Sequence, residues 1–137
     1  SLCRKGLSMH VATYLLFQGN AEEALHFYQR VFRDTEITAI HHYPRDAGEM
    51  AGKLLPSRLR IGDHQLMLAD SPNPHDFTFT PSTSIYINFE NEEELIEAHD
   101  ILCEDGDIMM PLDDYGFSEM FAWLNDKFGV SWQLNLP

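Results

Sequence analysis

The chain has 137 residues, enough for one domain with a substantial core and too few for two ordinary ones. Apolar residues at 44% and aromatics at 12% exclude a disordered segment. With 22 acidic residues against 9 basic, the formal charge is −13 at pH 7, so nucleic acid and anionic membrane surfaces are poor partners unless Lys53, Arg58 and Arg60 concentrate locally, and neither is expected.

Residues 1–8 carry Arg4 and Lys5 without a following apolar stretch and are expected to be a leader or an added remnant, with Met9 a candidate natural start. The segment from His10 to Phe17, rich in β-branched and aromatic residues, reads as a strand ending at Gly19. Asn20 then offers an N-cap, with Glu23 at capping-box spacing. Ala24, Leu25, Tyr28, Val31 and Phe32 follow as one apolar helical stripe. Glu36 to Tyr43 reads as a strand, Pro44 to Gly52 as a loop, and Leu54 to Ile61 with His64 to Ala69 as a hairpin turning on Gly62-Asp63. This first module, residues 9–70, is βαβββ. Residues 71–82 hold Pro72, Pro74 and Pro81 and form an expected linker, which also carries Phe77 and Phe79.

The second module, residues 83–137, repeats the order. A strand from Thr83 to Phe89 leads to a helix from about Glu92 to Cys103, capped by Asn91 with Glu94 at capping-box spacing. A short strand around Ile108 and Met109 comes next, then a loop through Asp113, Asp114, Tyr115 and Gly116, and a strand from Phe117 to Leu124. In the last strand Val130, Trp132, Leu134 and Leu136 alternate with Ser131, Gln133 and Asn135, which gives one apolar and one polar face. Ser84, Tyr86 and Asn88 alternate in the same way with Ile85, Ile87 and Phe89. Cys3 and Cys103 form neither a CxxC nor a zinc pattern, so reduced thiols in a cytoplasmic protein are expected. No run approaches the about 20 apolar residues of a membrane helix.

Four stretches, YLLFQGNAEEALHFYQRVF, LRIGDHQLMLAD, MPLDDYGF and LNDKFGVSWQLNLP, span nearly the whole chain in the order in which they occur in a known family. The sequence resembles the vicinal oxygen chelate superfamily, also called the glyoxalase, bleomycin-resistance and dioxygenase fold. Within it the chain is similar to the PhnB-like branch, some members of which carry the name 3-demethylubiquinone 3-methyltransferase. The resemblance implies an α+β fold, two βαβββ modules forming curled mixed sheets around a cavity, usually assembled as a homodimer. The chain has no glycine-rich strand-to-helix turn of the kind a nucleotide-like methyl donor uses.

In metal-using relatives, His and Glu side chains of the first and last strands of the modules hold a divalent ion. By spacing, those positions fall near Thr13, at Pro56 or Ser57, at Ser84 and at Gln133. They supply no imidazole or carboxylate, so neither a conventional metal centre nor another cofactor is expected. His41 and His42 are adjacent on a strand and point to opposite faces, so only His42 is a candidate for the cavity. His10, His26, His64, His75 and His99 read as surface residues. The acidic runs Glu22-Glu23 and Glu92 to Glu94 suit the first turns of helices. Asp113 and Asp114 read as loop solubility, with an acid or base role as the alternative. Trp123 and Trp132 read as core or pocket wall, and Phe77 and Phe79 as possible lining.

The expected ligand site is Ser84, Tyr86, Asn88, Gln133 and Asn135, walled by Tyr115 and Phe117 of a closing loop from Asp113 to Phe117. The apolar rows need the helices, so the polar rows face the other way. Such a neutral row suits an uncharged small organic molecule held without a metal. The open alternatives are an enzyme of lyase, isomerase, dioxygenase or transferase type, and a collapsed cavity in a protein that works only through its dimer.

Overall fold

A computed structural model describes residues 8–137, so residues 1–7 of the expected leader, Cys3 included, lie outside the described residues. The elements run β1 (Thr13–Phe17), α1 (Ala21–Val31), β2 (Thr35–His42), β3 (Leu54–Ile61), β4 (His64–Asp70), β5 (Ser84–Asn88), α2 (Glu92–Leu102), β6 (Asp107–Asp113), β7 (Met120–Asn125) and β8 (Ser131–Leu136), with a 3-10 turn at Gly48–Met50. This is the expected α+β order, βαβββ twice. The strands form two four-stranded sheets, β1-β4-β3-β2 and β5-β8-β7-β6. Two compact units result, one from residues up to 29 with 34–74, the other from 30–33 with 75–137.

In the first unit β1 runs parallel to β4, while β3 pairs antiparallel with both β2 and β4. The β3–β4 hairpin turns on Gly62 and Asp63, and Gly62 at φ 57° supplies the positive angle that a type II′ turn requires at its first central position. β1 starts at Thr13 rather than His10, because its ladder with β4 begins at the Thr13–Leu66 pair, next to the hairpin. Ala21, Ala24, Leu25, Tyr28 and Val31 form the buried stripe of α1, and Leu15, Leu59, Leu66 and Leu68 are buried on the sheet.

The buried Asp70 ties these elements together. Its Oδ1 accepts from Gly19 N at 2.8 Å and Ala21 N at 3.0 Å, and its Oδ2 accepts from Leu54 N at 2.9 Å. One carboxylate therefore fixes the end of β4, the turn into α1 and the start of β3. A charge in that position is favoured by the positive end of the helix dipole.

In the second unit β5 runs parallel to β8, and β7 pairs antiparallel with β8 and β6. Asn91 caps α2 as expected, its side chain accepting from Glu94 N at 2.8 Å. The helix packs over β7 and β8 with Leu95, Ala98 and Leu102 buried, and Trp132, Leu134 and Leu124 provide the apolar face of the sheet. Phe32, just beyond α1, packs its ring against Trp132 at a centroid distance of 5.2 Å. Arg33 follows and binds Glu93, Glu94 and Glu97 on α2 at 2.9 to 3.6 Å, but all four side chains are well hydrated and the network adds little stability.

The second hairpin has its own buried carboxylate. Asp126 accepts at Oδ1 from Phe128 N (2.8 Å) and Val130 N (3.1 Å), and at Oδ2 from the Trp132 indole at 2.9 Å. Two expected strands change length here. β6 extends to Asp113, while β7 begins at Met120 rather than Phe117, because its partner β8 ends at Leu136, opposite Met120. Glu119 N still donates to Leu136 O at 3.0 Å, and Phe117, two residues earlier, packs on Phe121 instead of entering the ladder. Among the described residues no helix is long and apolar enough to cross a membrane.

Candidate functional site

Period-two alternation puts Ser84, Tyr86 and Asn88 on one face of β5, and the parallel register sets them beside Ser131, Gln133 and Asn135 of β8. The next pairing brings Asn125, Trp123 and Phe121 of β7 onto the same face. Three cross-sheet rows result: Ser84, Ser131 and Asn125; Tyr86, Gln133 and Trp123; Asn88, Asn135 and Phe121. The five predicted strand residues thus lie together on the face opposite Trp132 and Leu134.

Hydrogen bonds fix the two outer rows. Trp123 Nε1 donates to Ser131 Oγ at 2.8 Å, and the hydroxyls of Ser131 and Ser84 are 2.7 Å apart. Ser131 is buried, so its own O–H is best satisfied by donating to Ser84. The Ser84 proton is then free to point away from the protein network. At the other end Asn135 Nδ2 donates to Asn88 Oδ1 at 2.8 Å, while Asn135 Oδ1 is buried and has no partner.

An aromatic group completes the face. Phe117 and Tyr115 pack on Phe121 at centroid distances of 5.1 and 6.1 Å, and Tyr86 approaches it at 6.4 Å. Tyr86 remains 51% exposed and Phe117 62%, large values for rings that could have joined a core. The loop after β6 therefore does reach the face where the polar rows lie. Asp113 and Asp114 are spent on that loop: Asp113 Oδ1 accepts from Asp114 N and Asp114 Oδ1 from Gly116 N, each at 2.7 Å. Phe121 and Ser131 were not in the expected site, and Trp123 was expected as core or pocket wall. Their alternation was visible in the sequence, but only the β7–β8 register puts them on this face.

The remaining candidates lie elsewhere. Phe77 stacks on His75 at 3.9 Å in the segment before β5 and does not join the site rows. His42 Nε2 meets Glu22 Oε1 at 2.7 Å, and His26 meets the same carboxylate at 3.3 Å. The hydrogen bond from His42 holds the Glu22 carboxyl below its ordinary value. This is a half-exposed surface cluster in the first unit. Burial, and then the charge of Asp100, push the Cys103 thiol up, which disfavours the reactive thiolate.

The metal-ligand positions of the resembling superfamily do not fit a metal here. Thr13 Oγ1 is bonded to His64 Nε2 at 2.9 Å, and Ser57 is buried, donating to Leu55 O at 2.9 Å and accepting from His41 N at 3.0 Å. Ser84 is bonded to Ser131 and Gln133 is a neutral amide. Hard divalent ions want carboxylates or imidazoles. Among the described residues no three His, Cys, Asp or Glu side chains converge on one point.

A family model described as 3-demethylubiquinone-9 3-methyltransferase matches residues 9–135. The chain belongs to that family. A Bacillus cereus structure described as a putative 3-demethylubiquinone-9 3-methyltransferase, PhnB protein, is 42% identical, covers 94% of this chain and 100% of its own, and superposes with a TM-score of 0.87. Protein YjdN of Escherichia coli K12 is 26% identical over 93% of this chain and 95% of its own. The fosfomycin resistance protein FosX of Listeria monocytogenes, 11% identical over 95% of this chain and 94% of its own, shares only the fold, at a TM-score of 0.65. That fold is the expected glyoxalase-like one.

The name of the 3-demethylubiquinone-9 3-methyltransferase family implies a methyl donor, and the strand-to-helix junctions do not fit one. A nucleotide-like donor wants a glycine-rich turn with free backbone N–H groups at a helix N-terminus. Before α1 the Gly19 and Ala21 N–H groups are taken by Asp70, and at α2 the cap is filled by Asn91. No transfer step is assigned to these junctions.

Proposed function

We propose that this member of the 3-demethylubiquinone-9 3-methyltransferase family is a binding protein for a small, uncharged organic molecule. The ligand lies on the polar and aromatic face of the second sheet, against Ser84, Tyr86, Asn88, Gln133 and Asn135, with Tyr115 and Phe117 at its rim. The observation that carries this reading is the coexistence of a neutral hydrogen-bonding row with half-exposed rings of Tyr86 and Phe117. Flat apolar surface with a few placed polar groups is the ordinary make-up of a small-molecule site. The absence of charge from the rows argues against phosphates and carboxylates as ligands. Two cysteines in the whole chain suit a reducing compartment, the cytoplasm.

Trp123 lies in the middle row and reports on occupancy by its fluorescence. Titration with uncharged bicyclic aromatics is expected to quench it, and Tyr86→Ala to weaken binding by about tenfold, the worth of one aromatic stack. An unchanged affinity in Tyr86→Ala would remove the ligand from this face.

We also infer a homodimer assembled through a sheet edge. β6 is an edge strand, and its Ile108 and Met109 are exposed. Unpaired edges with apolar side chains are usually covered. Light scattering is expected to give a dimer at micromolar concentration and a monomer for Ile108→Lys; a monomeric wild type refutes the assembly.

A further inference from the structure

Two amides on this face of the second sheet, Asn125 and Asn135, each bury an Oδ1 without a partner, and that of Asn135 lies at the aromatic end. Asn135 is 7% exposed, its Oδ1 has no partner, and a buried polar atom without one is costly. Rotating the amide by 180° does not remove the problem. With Asn88 rotated too, the bond between the two side chains survives in the opposite sense, and Asn135 Nδ2 becomes the buried atom without a partner. At the other end of the site Trp123, Ser131 and Ser84 form an unbroken chain, beside which Asn125 Oδ1 is also left without a partner, away from the aromatic group.

Asn135 pairs across the sheet with Phe121, the residue on which Tyr86, Tyr115 and Phe117 converge. An unsatisfied acceptor therefore lies beside the centre of the aromatic group. We propose that Asn135, held by Asn88, is the recognition point for an N–H or O–H donor in the plane of a flat aromatic ligand. This deepens the binding reading above and rests on it. The ligand ring replaces Tyr115 or Phe117 against Phe121, exchanging one stack for another, and this brings its donor to Oδ1. Gly116, at φ 88° between the two residues and with open space on the side where a Cβ would project, leaves the loop room to swing. The Ser84 hydroxyl, four residues along β5 and so about 13 Å away, then offers a donor to an acceptor at the far end of a longer ligand.

Matched probes test this with the full chain: naphthalene, which has no polar atom, quinoline, which only accepts, and indole, which only donates. Trp123 excitation overlaps indole, so binding is read from amide chemical shifts of isotope-labelled protein. Indole is expected to bind at least tenfold tighter than naphthalene or quinoline, with the Asn135 side-chain resonances among those that shift. Asn135→Leu is expected to erase that preference while keeping naphthalene affinity and raising Tm, since it removes the buried unsatisfied atom. If indole, quinoline and naphthalene bind equally to the wild type, the Asn135 assignment falls and the aromatic site stands. If none binds, the site itself falls. An indole preference that survives in Asn135→Leu also overturns the assignment, and a variant that does not fold is replaced by Asn88→Ala, which is exposed and is expected to weaken indole selectively.

Discussion

Asp70→Ala is expected to destabilise the protein by on the order of 4 kcal/mol, because three backbone N–H groups lose their acceptor at once. Each buried donor left unpaired costs about 1–3 kcal/mol, and those of Ala21 and Leu54 lie in buried surroundings where water cannot replace the carboxylate. Asp70→Asn is expected to fail as well. An amide keeps one acceptor but turns an NH₂ group toward either Leu54 N or the pair of Gly19 and Ala21, setting donor against donor. Urea unfolding at neutral pH checks this: both variants should unfold at a markedly lower midpoint than the wild type. A midpoint shift equivalent to less than about 1 kcal/mol for alanine would mean that these N–H groups find other acceptors.

Asp70 also shows where the sequence stopped being legible. It stands at the end of a strand whose existence and hairpin could be read from alternation and from Gly62-Asp63. Its partners, however, lie 16 to 51 residues away in the chain, and no local pattern announces them. The sequence points to a local capping box of Asn20 with Glu23 at the start of α1, whereas the Ala21 N–H goes to the remote carboxylate. At α2 the cap is local, three residues from Asn91 to Glu94, and there the expectation and the structure coincide. Range of interaction, more than strength, separates the two cases.

The site divides in the same way. The polar faces of β5 and β8 follow from a period of two and were readable, and the parallel register then places Tyr86 beside Gln133 and Asn88 beside Asn135. The roles of Phe121 and Trp123 needed the antiparallel register of β7, which no alternation specifies. The repeat of βαβββ was likewise legible as an order of elements but not as chemistry. Leu15 and Phe17 of β1 are buried, whereas Tyr86 and Asn88, at the same distance before the second helix, are exposed. The two modules share a topology and use their first strands differently, so at these matched positions only the second presents Tyr86 and Asn88 to solvent.

Trp132→Ala is expected to cost about 3–5 kcal/mol, the range for truncating a fully buried large aromatic. Trp132 is fully buried in the second unit and packs against Phe32 from the end of α1. Trp132→Phe separates the two parts of the effect. It keeps most of the ring packing but withdraws the indole N–H from Asp126 Oδ2, a hydrogen bond to a buried carboxylate worth about 1.5–3 kcal/mol. Asp126 also holds the β7–β8 turn through Phe128 N and Val130 N, so weakening it loosens the strand that presents Gln133 and Asn135. Thermal unfolding of the two variants beside Asp126→Ala forms a cycle in which the Trp132→Phe and Asp126→Ala losses should not add, because both break the same bond. Full additivity would show that the indole and the carboxylate act independently, and that Asp126 serves the turn alone.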